Sequence, residues 1–112
     1  MVVLPKKGED DVWCIVMFDL PVTSKKARRE ATQFRNHLLD LGFAMAQLSV
    51  YVQYLPLSAR VSILAKSIKA NLPAGGDVRI VCVRDKQWSG AIRFSNMEEA
   101  QNEDQPQQLT IF

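Results

Sequence analysis

The chain has 112 residues, of which 47% are hydrophobic, and this is enough to build one domain around one core. No apolar run approaches the roughly 20 residues that cross a bilayer. The N-terminus has four apolar residues before a charged stretch, which is the wrong order for a secretory signal. We therefore expect a cytoplasmic protein without a membrane partner.

The charge is distributed unevenly along the chain. Residues 1–95 contain all fourteen Lys and Arg and eight acids, a net charge of +6, whereas residues 96–112 contain four acids and no base. A basic body with an acidic tail favours a polyanion as partner, although solvated protein surfaces are often basic as well.

The first predicted element is the run VWCIVMFDLP at residues 12–21. Its unbroken β-branched and aromatic residues predict a central strand over 12–18, buried on both faces. Asp19 ends this strand and has three readings: a turn residue that bonds nearby backbone, a helix cap, or a functional, metal-binding carboxylate at the carboxyl end of a central strand. One carboxylate is a poor Mg²⁺ site, but a two-fold dimer would bring a second copy towards the axis.

A helix is predicted over residues 24–41, after a turn in which Thr23 or Ser24 caps it. Its apolar stripe consists of Ala27, Ala31, Phe34, Leu38 and Leu41, and Gly42 is a natural stop. The only histidine, His37, lies beside this stripe with no acid or nucleophile at local spacing. We interpret it as a packed or surface helix residue.

Basic residues are concentrated at the start of this helix. A helix N-terminus favours anions, so the cluster predicts a phosphate contact, with a solvated helix face as the alternative. The predicted nucleic-acid-binding residues are Lys25, Lys26, Arg28, Arg29 and Arg35 of this helix, with Arg79 and Arg84 further along the chain.

The run FAMAQLSVYVQYL at residues 43–55 is long for one strand, so a bend or hairpin near 47–49 is expected. Its alternation predicts one buried and one wet face. The predicted buried set is Leu48, Val50, Val52 and Tyr54, and the predicted wet set is Gln47, Ser49, Tyr51 and Gln53.

A second helix is predicted over 58–71, with Ser58 as its cap and Pro73 after its end. A strand over 78–84 and a connection at DKQWSG follow, and AIRF is then either a short strand or an extension. Residues 96–108 are a polar segment that cannot fold alone. The terminal LTIF is strand-prone and needs a sheet edge, its own or another subunit's. The expected organisation is a domain over 1–95 and an acidic linker with a docking strand over 96–112.

The element order predicts an α+β ferredoxin-like sandwich, βαββαβ, with both helices on one face of the sheet. A half-covered sheet is a common interface, so a homodimer is expected. No glycine-rich loop follows the first strand, which disfavours nucleotide-binding folds. Cys14 and Cys82 lie in strand-like runs and are predicted to be buried, reduced thiols, because scattered cysteines match no zinc spacing.

Four segments together resemble the small CRISPR-associated adaptation proteins of the Cas2 family, which work with the Cas1 integrase. They are VMFDLP, FRNHLLDLGF, QLSVYVQYL and VRIVCVRDKQW, within about residues 12–95. The stretches MFDLP, GFAMAQLSVY and DKQW are most similar to members from type II systems.

The resemblance implies a ferredoxin-like homodimer whose C-terminal segments add a strand to a neighbour. Asp19 would match the family aspartate that pairs across the dimer around a divalent metal, Mg²⁺ or Mn²⁺, and would be its catalytic residue. Members are described as metal-dependent endonucleases acting on RNA or double-stranded DNA. In the adaptation complex the dimer mainly bridges two Cas1 dimers and holds the protospacer duplex.

One position departs from the pattern. Some members carry an arginine two residues before the glutamine of QxSVY, and this arginine is linked to nuclease activity. Met45 stands there in this chain. It cannot bind phosphate, so the resemblance favours a DNA-bridging scaffold over an active nuclease. A toxin-like ribonuclease or regulatory domain on the same fold is a third alternative. Ser49 and Tyr51 match the family stretch, and we interpret both as packing or hydrogen-bonding groups.

Overall fold

The protein was analysed as a computed structural model that describes residues 10–106. The first six helices and strands follow the predicted order βαββαβ, and a short helix and two short strands come after them. The elements are β1 Val12–Asp19, α1 Lys25–Asp40, β2 Ala44–Gln47, β3 Val50–Leu55, α2 Arg60–Ala70, β4 Asp77–Val83, α3 Asp85–Ser89, β5 Arg93–Ser95 and β6 Glu98–Ala100.

The main sheet has the strand order β2-β3-β1-β4, and its neighbouring strands are antiparallel. This is the ferredoxin-like arrangement, with β1 at the centre as predicted. Alternate residues of β1, from Val12 to Phe18, point to one face of the sheet and form the core with both helices. The helix residues buried against them are Ala31, Phe34, Leu38, Leu64 and Ile68.

The ends of α1 follow the predicted signals. Ser24 has an extended backbone, and its hydroxyl accepts a hydrogen bond from the Ala27 N–H at 3.0 Å. Gly42 follows the helix with φ of +97°, a conformation that side chains disfavour.

The predicted cap of α2 is wrong. Ala59 occupies the N-cap position, and no side chain bonds the first turn. The Ser58 hydroxyl instead donates to the Asp10 carboxylate at 2.6 Å, so a tertiary contact outcompetes the local cap. Ser58 therefore joins the start of α2 to the segment that precedes β1.

The hairpin near residues 47–49 is confirmed, but the predicted faces of β3 are wrong. Tyr51 and Leu55 face the helices, each 3% exposed, and Leu48 is 74% exposed in the turn. Val52 is buried as predicted, at 2% exposed, but it lies on the opposite face of the sheet. β3 is an interior strand with apolar residues on both faces, so alternation did not reveal which face meets the helices. An irregularity between Met45 and Gln47 also shifts the register of β2.

The C-terminal part is more structured than predicted. DKQWSG forms α3 rather than a plain connection, and Trp88 stacks on Trp13 with ring centroids 5.6 Å apart. The short strand at AIRF is confirmed as β5, which pairs with β6 across a turn where Asn96 and Met97 have positive φ. The expected boundary at 95/96 therefore falls inside a hairpin. The predicted strand LTIF lies outside the described residues.

The cysteine prediction is half wrong. Cys14 is fully buried, but Cys82 is exposed because it lies on β4, an edge of the main sheet. Within residues 10–106, no helix is both long and apolar enough to cross a membrane.

Candidate functional site

The sheet face that α1 and α2 do not cover, here called the open face, is apolar along its middle. Ile15 pairs with Val52 and Val81, and Met17 pairs with Val50 and Arg79. Met17 and Val81 are 36% and 38% exposed. β1 is therefore not fully buried on both faces, and an apolar strip remains open to a partner surface.

Two carboxylates lie at one end of this strip. Asp19 ends β1 and Asp77 begins β4, and the two residues are directly opposite in the antiparallel ladder. Both are exposed and belong to the open face, because they are in phase with Met17 and Arg79. Like charges in this position repel each other by a few tenths to about 1 kcal/mol. A bound cation would remove that repulsion.

Asp77 was not among the site residues predicted from the sequence. The signal was present, because antiparallel neighbours bring the first residue of one strand beside the last residue of the other. Asp77 directly precedes the strand predicted over 78–84, and Asp19 directly follows the strand predicted over 12–18. What the sequence did not reveal was that these two strands pair with each other.

Gly76 holds the two carboxylate-bearing strand ends together. It has φ of +85°, and a Cβ at this position would lie 2.8 Å from the Asp19 carbonyl oxygen and 3.0 Å from Leu20 Cδ2. The turn before β4 can therefore approach the end of β1 only because residue 76 has no side chain. This contact fixes Asp77 beside Asp19.

The donor set fits Mg²⁺ or Mn²⁺, which prefer oxygen ligands and usually bind one or two carboxylates with water and phosphate. Within residues 10–106 there is no cluster of three or more His, Cys, Asp or Glu side chains that could hold a metal. Asp19 and Asp77 would thus supply two ligands at most, and water, a phosphate or a second chain would complete the shell.

The predicted basic residues at the start of α1 form one exposed surface, here called the α1 basic cluster: Lys25, Lys26, Arg28 and Arg29. The first turn of α1 contains no acid, so these cations add to the positive end of the helix dipole. One Arg28 Nη also donates to the Val22 carbonyl at 3.0 Å and fastens the preceding turn.

The other three predicted cations are not part of that surface. The Arg35 guanidinium lies over the Phe18 ring, 5.6 Å from its centroid, and its Nε is buried without a hydrogen-bond partner among the described residues. Arg79 belongs to the open face. Arg84 donates to the Asp11 carbonyl at 3.1 Å. The structure therefore separates the predicted set into one exposed cluster and three residues that lie elsewhere, each in different surroundings.

Aromatic side chains cover the end of the open face that is away from Asp19. Trp13 donates from Nε1 to Asp85 at 2.8 Å, and the Tyr54 hydroxyl donates to Asp11 at 2.6 Å. Burial, followed by this hydrogen bond and nearby negative charge, raises the pKa of Tyr54 from 10.0 to about 12. These contacts fix α3 and the start of β1, and we assign them a structural role.

The remaining candidates are also structural in character. His37 lies 3.2 Å from the Ser67 hydroxyl of α2, so its partner is distant in sequence. Tyr51 is buried in the core, as its packing interpretation predicts, and the Ser49 carbonyl accepts the Phe18 N–H at 3.0 Å. Met45 is 58% exposed and pairs with Tyr51.

The chain was compared with known families, and the family model described as CRISPR associated protein Cas2 matches residues 12–91. The chain belongs to the Cas2 family. A relative from Paracidovorax avenae is 44% identical over 101 residues, which cover 90% of this chain and 94% of the relative. Relatives from Parvibaculum lavamentivorans and Flavobacterium psychrophilum are 34% and 33% identical, each over 90% of this chain and over 100% and 88% of their own lengths.

These three relatives carry the name CRISPR-associated endoribonuclease Cas2. Membership of the Cas2 family supports a CRISPR-related function for this chain, and its fold agrees with the ferredoxin-like architecture that the resemblance implied. The likeness to members from type II systems stays a prediction.

Proposed function

We propose that this Cas2 chain is a cytoplasmic spacer-acquisition protein whose homodimer bridges two Cas1 dimers and binds protospacer duplex DNA. The observation that carries the proposal is the α1 basic cluster. Its four cations are exposed at the positive end of a capped helix, in a chain whose residues 1–95 have a net charge of +6. Such a surface binds phosphate without reading bases, as a bridge for arbitrary protospacers requires.

The open face supports the dimer. Its apolar middle, with Met17 and Val81 partly exposed, fits a second copy of the same face in an isologous contact. The face ends in the pair Asp19 and Asp77, so a two-fold contact near that end would add Asp19 of the partner subunit to the donor set. Bound there, Mg²⁺ or Mn²⁺ would neutralise the carboxylates and supply positive charge towards a phosphate.

A second candidate function is a metal-dependent endoribonuclease. The pair of opposed carboxylates and the names of the relatives favour it. In this role Asp19, with Asp77 beside it, would hold the cation and orient the scissile phosphate. Met45 argues against strong activity, because a thioether offers no charge to a phosphate. The deciding comparison is RNA and duplex DNA cleavage by wild type and Asp19→Asn, each with Mg²⁺ and with EDTA. Equal cleavage by both proteins would remove Asp19 from any mechanism.

The duplex-binding proposal is tested by salt dependence. Each phosphate contact contributes about −0.9 to the slope of log K against log salt concentration. Replacing Lys25, Lys26, Arg28 and Arg29 with glutamine should therefore flatten the slope by up to about 3.6 for each chain that contacts the duplex. Affinity for duplexes of unrelated sequence should fall equally.

The matched control removes four other exposed cations, and thus the same net charge, from α2 and α3: Arg60, Lys66, Lys69 and Lys86. We expect a much smaller change in slope for this variant, because its cations lie outside the cluster. If the two variants bound alike, only the overall charge would matter. An unchanged slope in the first variant would exclude the α1 basic cluster as the contact surface.

A further inference from the structure

The two cysteines of the chain meet on the core side of the sheet, away from the carboxylates. Cys14 of β1 and Cys82 of β4 are direct partners in the antiparallel register. Cys14 is 0% exposed, whereas Cys82 is exposed, and both residues belong to the core face of the sheet because they are in phase with Val16 and Ile80. A buried thiol and an accessible thiol are therefore directly opposite each other on two neighbouring strands.

The backbone hydrogen bonds of β1 determine whether Cys14 and Cys82 form a hydrogen-bonded or a non-hydrogen-bonded pair. The Phe18 N–H donates to the Ser49 carbonyl, on the β3 side of β1. Residues of an antiparallel strand alternate in the neighbour to which they bond, and the register of β1 with β4 is continuous. Cys14 is in phase with Phe18, so it bonds to β3 and forms a non-hydrogen-bonded pair with Cys82.

This kind of pair suits a disulfide bond. Opposite residues of a non-hydrogen-bonded pair have Cα atoms about 4.5 Å apart and side chains that approach closely. Disulfides span Cα distances of about 4.4–6.8 Å, so the pair lies at the short end of the range. Disulfides that are exposed to solvent are among the more easily reduced ones, and the Cys82 side is exposed, which favours a reversible bond over a permanent cross-link.

We propose that Cys14 and Cys82 form a reversible intrachain disulfide by exchange with a low-molecular-weight disulfide, and that this bond locks the edge strand β4 to β1. The accessible Cys82 thiolate attacks the small disulfide, forms a mixed disulfide and releases one small thiolate. The Cys14 sulfur then attacks the Cys82 sulfur and displaces the second small thiolate, which takes up the Cys14 proton. Two protein thiols are oxidised, and one disulfide is reduced to two thiols.

The surroundings assign the order of the two steps. Burial, together with the neighbouring Cys82, raises the pKa of the Cys14 thiol from 9.0 to about 12. Cys14 is therefore a poor first nucleophile, and it reacts only because the Cys82 sulfur is already beside it. Among the described residues, β4 pairs only with β1 in the main sheet, so its detachment is an accessible local opening that a cross-link would block.

The test uses the full-length chain, incubated with oxidised glutathione and then with dithiothreitol. After oxidation, the intact mass of wild type should fall by two hydrogens, and thiol titration of the denatured protein should find no free thiol. Reduction with dithiothreitol should reverse both changes. We expect oxidation to raise the melting temperature by at least about 5 °C, since the bond closes a long loop. Amide exchange across Asp77–Val83 should slow.

Two variants separate the steps. Cys14→Ala should stop at a stable adduct of one glutathione on Cys82, and Cys82→Ser, which changes an exposed side chain, should acquire neither modification. If wild type also stopped at the glutathione adduct, kept both thiols or formed only disulfide-linked dimers, the proposal would be wrong. Should Cys14→Ala fail to fold, the wild-type mass and the Cys82→Ser control still decide between these outcomes.

Discussion

The opposed carboxylates of Asp19 and Asp77 make a prediction that needs no partner protein. Both strand ends are exposed. Phe18 bonds to β3 and therefore forms a non-hydrogen-bonded pair with Val78, so the next pair, Asp19 and Asp77, is a hydrogen-bonded pair with Cα atoms about 5.5 Å apart. Two unit charges at this separation in water repel by about 0.8 kcal/mol. Asp19→Asn should therefore raise the free energy of unfolding by about 0.5–0.8 kcal/mol in EDTA.

A bound cation should reverse this order. Mg²⁺ or Mn²⁺ at 100 times its dissociation constant would stabilise wild type by about 2.7 kcal/mol. At about 4 °C per kcal/mol, wild type should gain about 10 °C in melting temperature, while Asp19→Asn should gain far less. The assay is thermal unfolding monitored by circular dichroism, in EDTA and at increasing concentrations of the metal.

Asp77→Asn and the double variant sharpen the result. Removing either charge abolishes the same repulsion, so in EDTA the double variant should be no more stable than either single variant. Asp104→Asn, a change at another exposed acid, controls for net charge. If Asp19→Asn lowered stability in EDTA, or if metal stabilised it as much as wild type, the two carboxylates would not form the proposed cation site.

Three further variants test the fold around the site. Tyr54→Phe should lower the free energy of unfolding by about 1 kcal/mol at neutral pH and should reduce the loss of stability between pH 10 and 12. The raised pKa of Tyr54 contributes stability that is complete below pH 10 and is lost as the phenol ionises near pH 12. Denaturant unfolding measured against pH would show the same loss of stability above pH 10 in both proteins if the contact with Asp11 were unimportant. Gly76→Ala should destabilise by about 1–3 kcal/mol and weaken metal-induced stabilisation, and an unaffected melting temperature would contradict the close approach to Asp19. Ser24→Ala should cost about 1 kcal/mol in urea unfolding through loss of the α1 cap, whereas Thr23→Ala serves as the neutral control.

Much of the fold was predictable because its signals are local. The apolar stripe of α1, its cap at Ser24 and its stop at Gly42 lie within one helix and its flanks, and all three are confirmed. The hairpin after β2 was predictable from length alone. The cap of α2 failed for the opposite reason, because Ser58 bonds to Asp10, a residue that is 48 positions away.

The site was predicted less completely, because its parts come from strand pairing. Asp19 stood out at the end of an apolar run, but Asp77 acquires meaning only when β4 lies beside β1. The basic residues were predicted as one patch by composition. The structure separates Arg35, which packs over Phe18, from the exposed cations of α1, since helical phase and not sequence proximity decides which side chains reach water.

We propose that the protein serves spacer acquisition as a DNA-binding bridge, and reconstitution of integration with the cognate Cas1 is the direct test of this role. The proteins to compare are wild type, Asp19→Asn and the glutamine variant of the α1 basic cluster. We predict that wild type supports integration, that the cluster variant loses at least about tenfold because duplex affinity falls, and that Asp19→Asn stays close to wild type. Full integration by the cluster variant, or none by Asp19→Asn at normal duplex affinity, would contradict the bridging account.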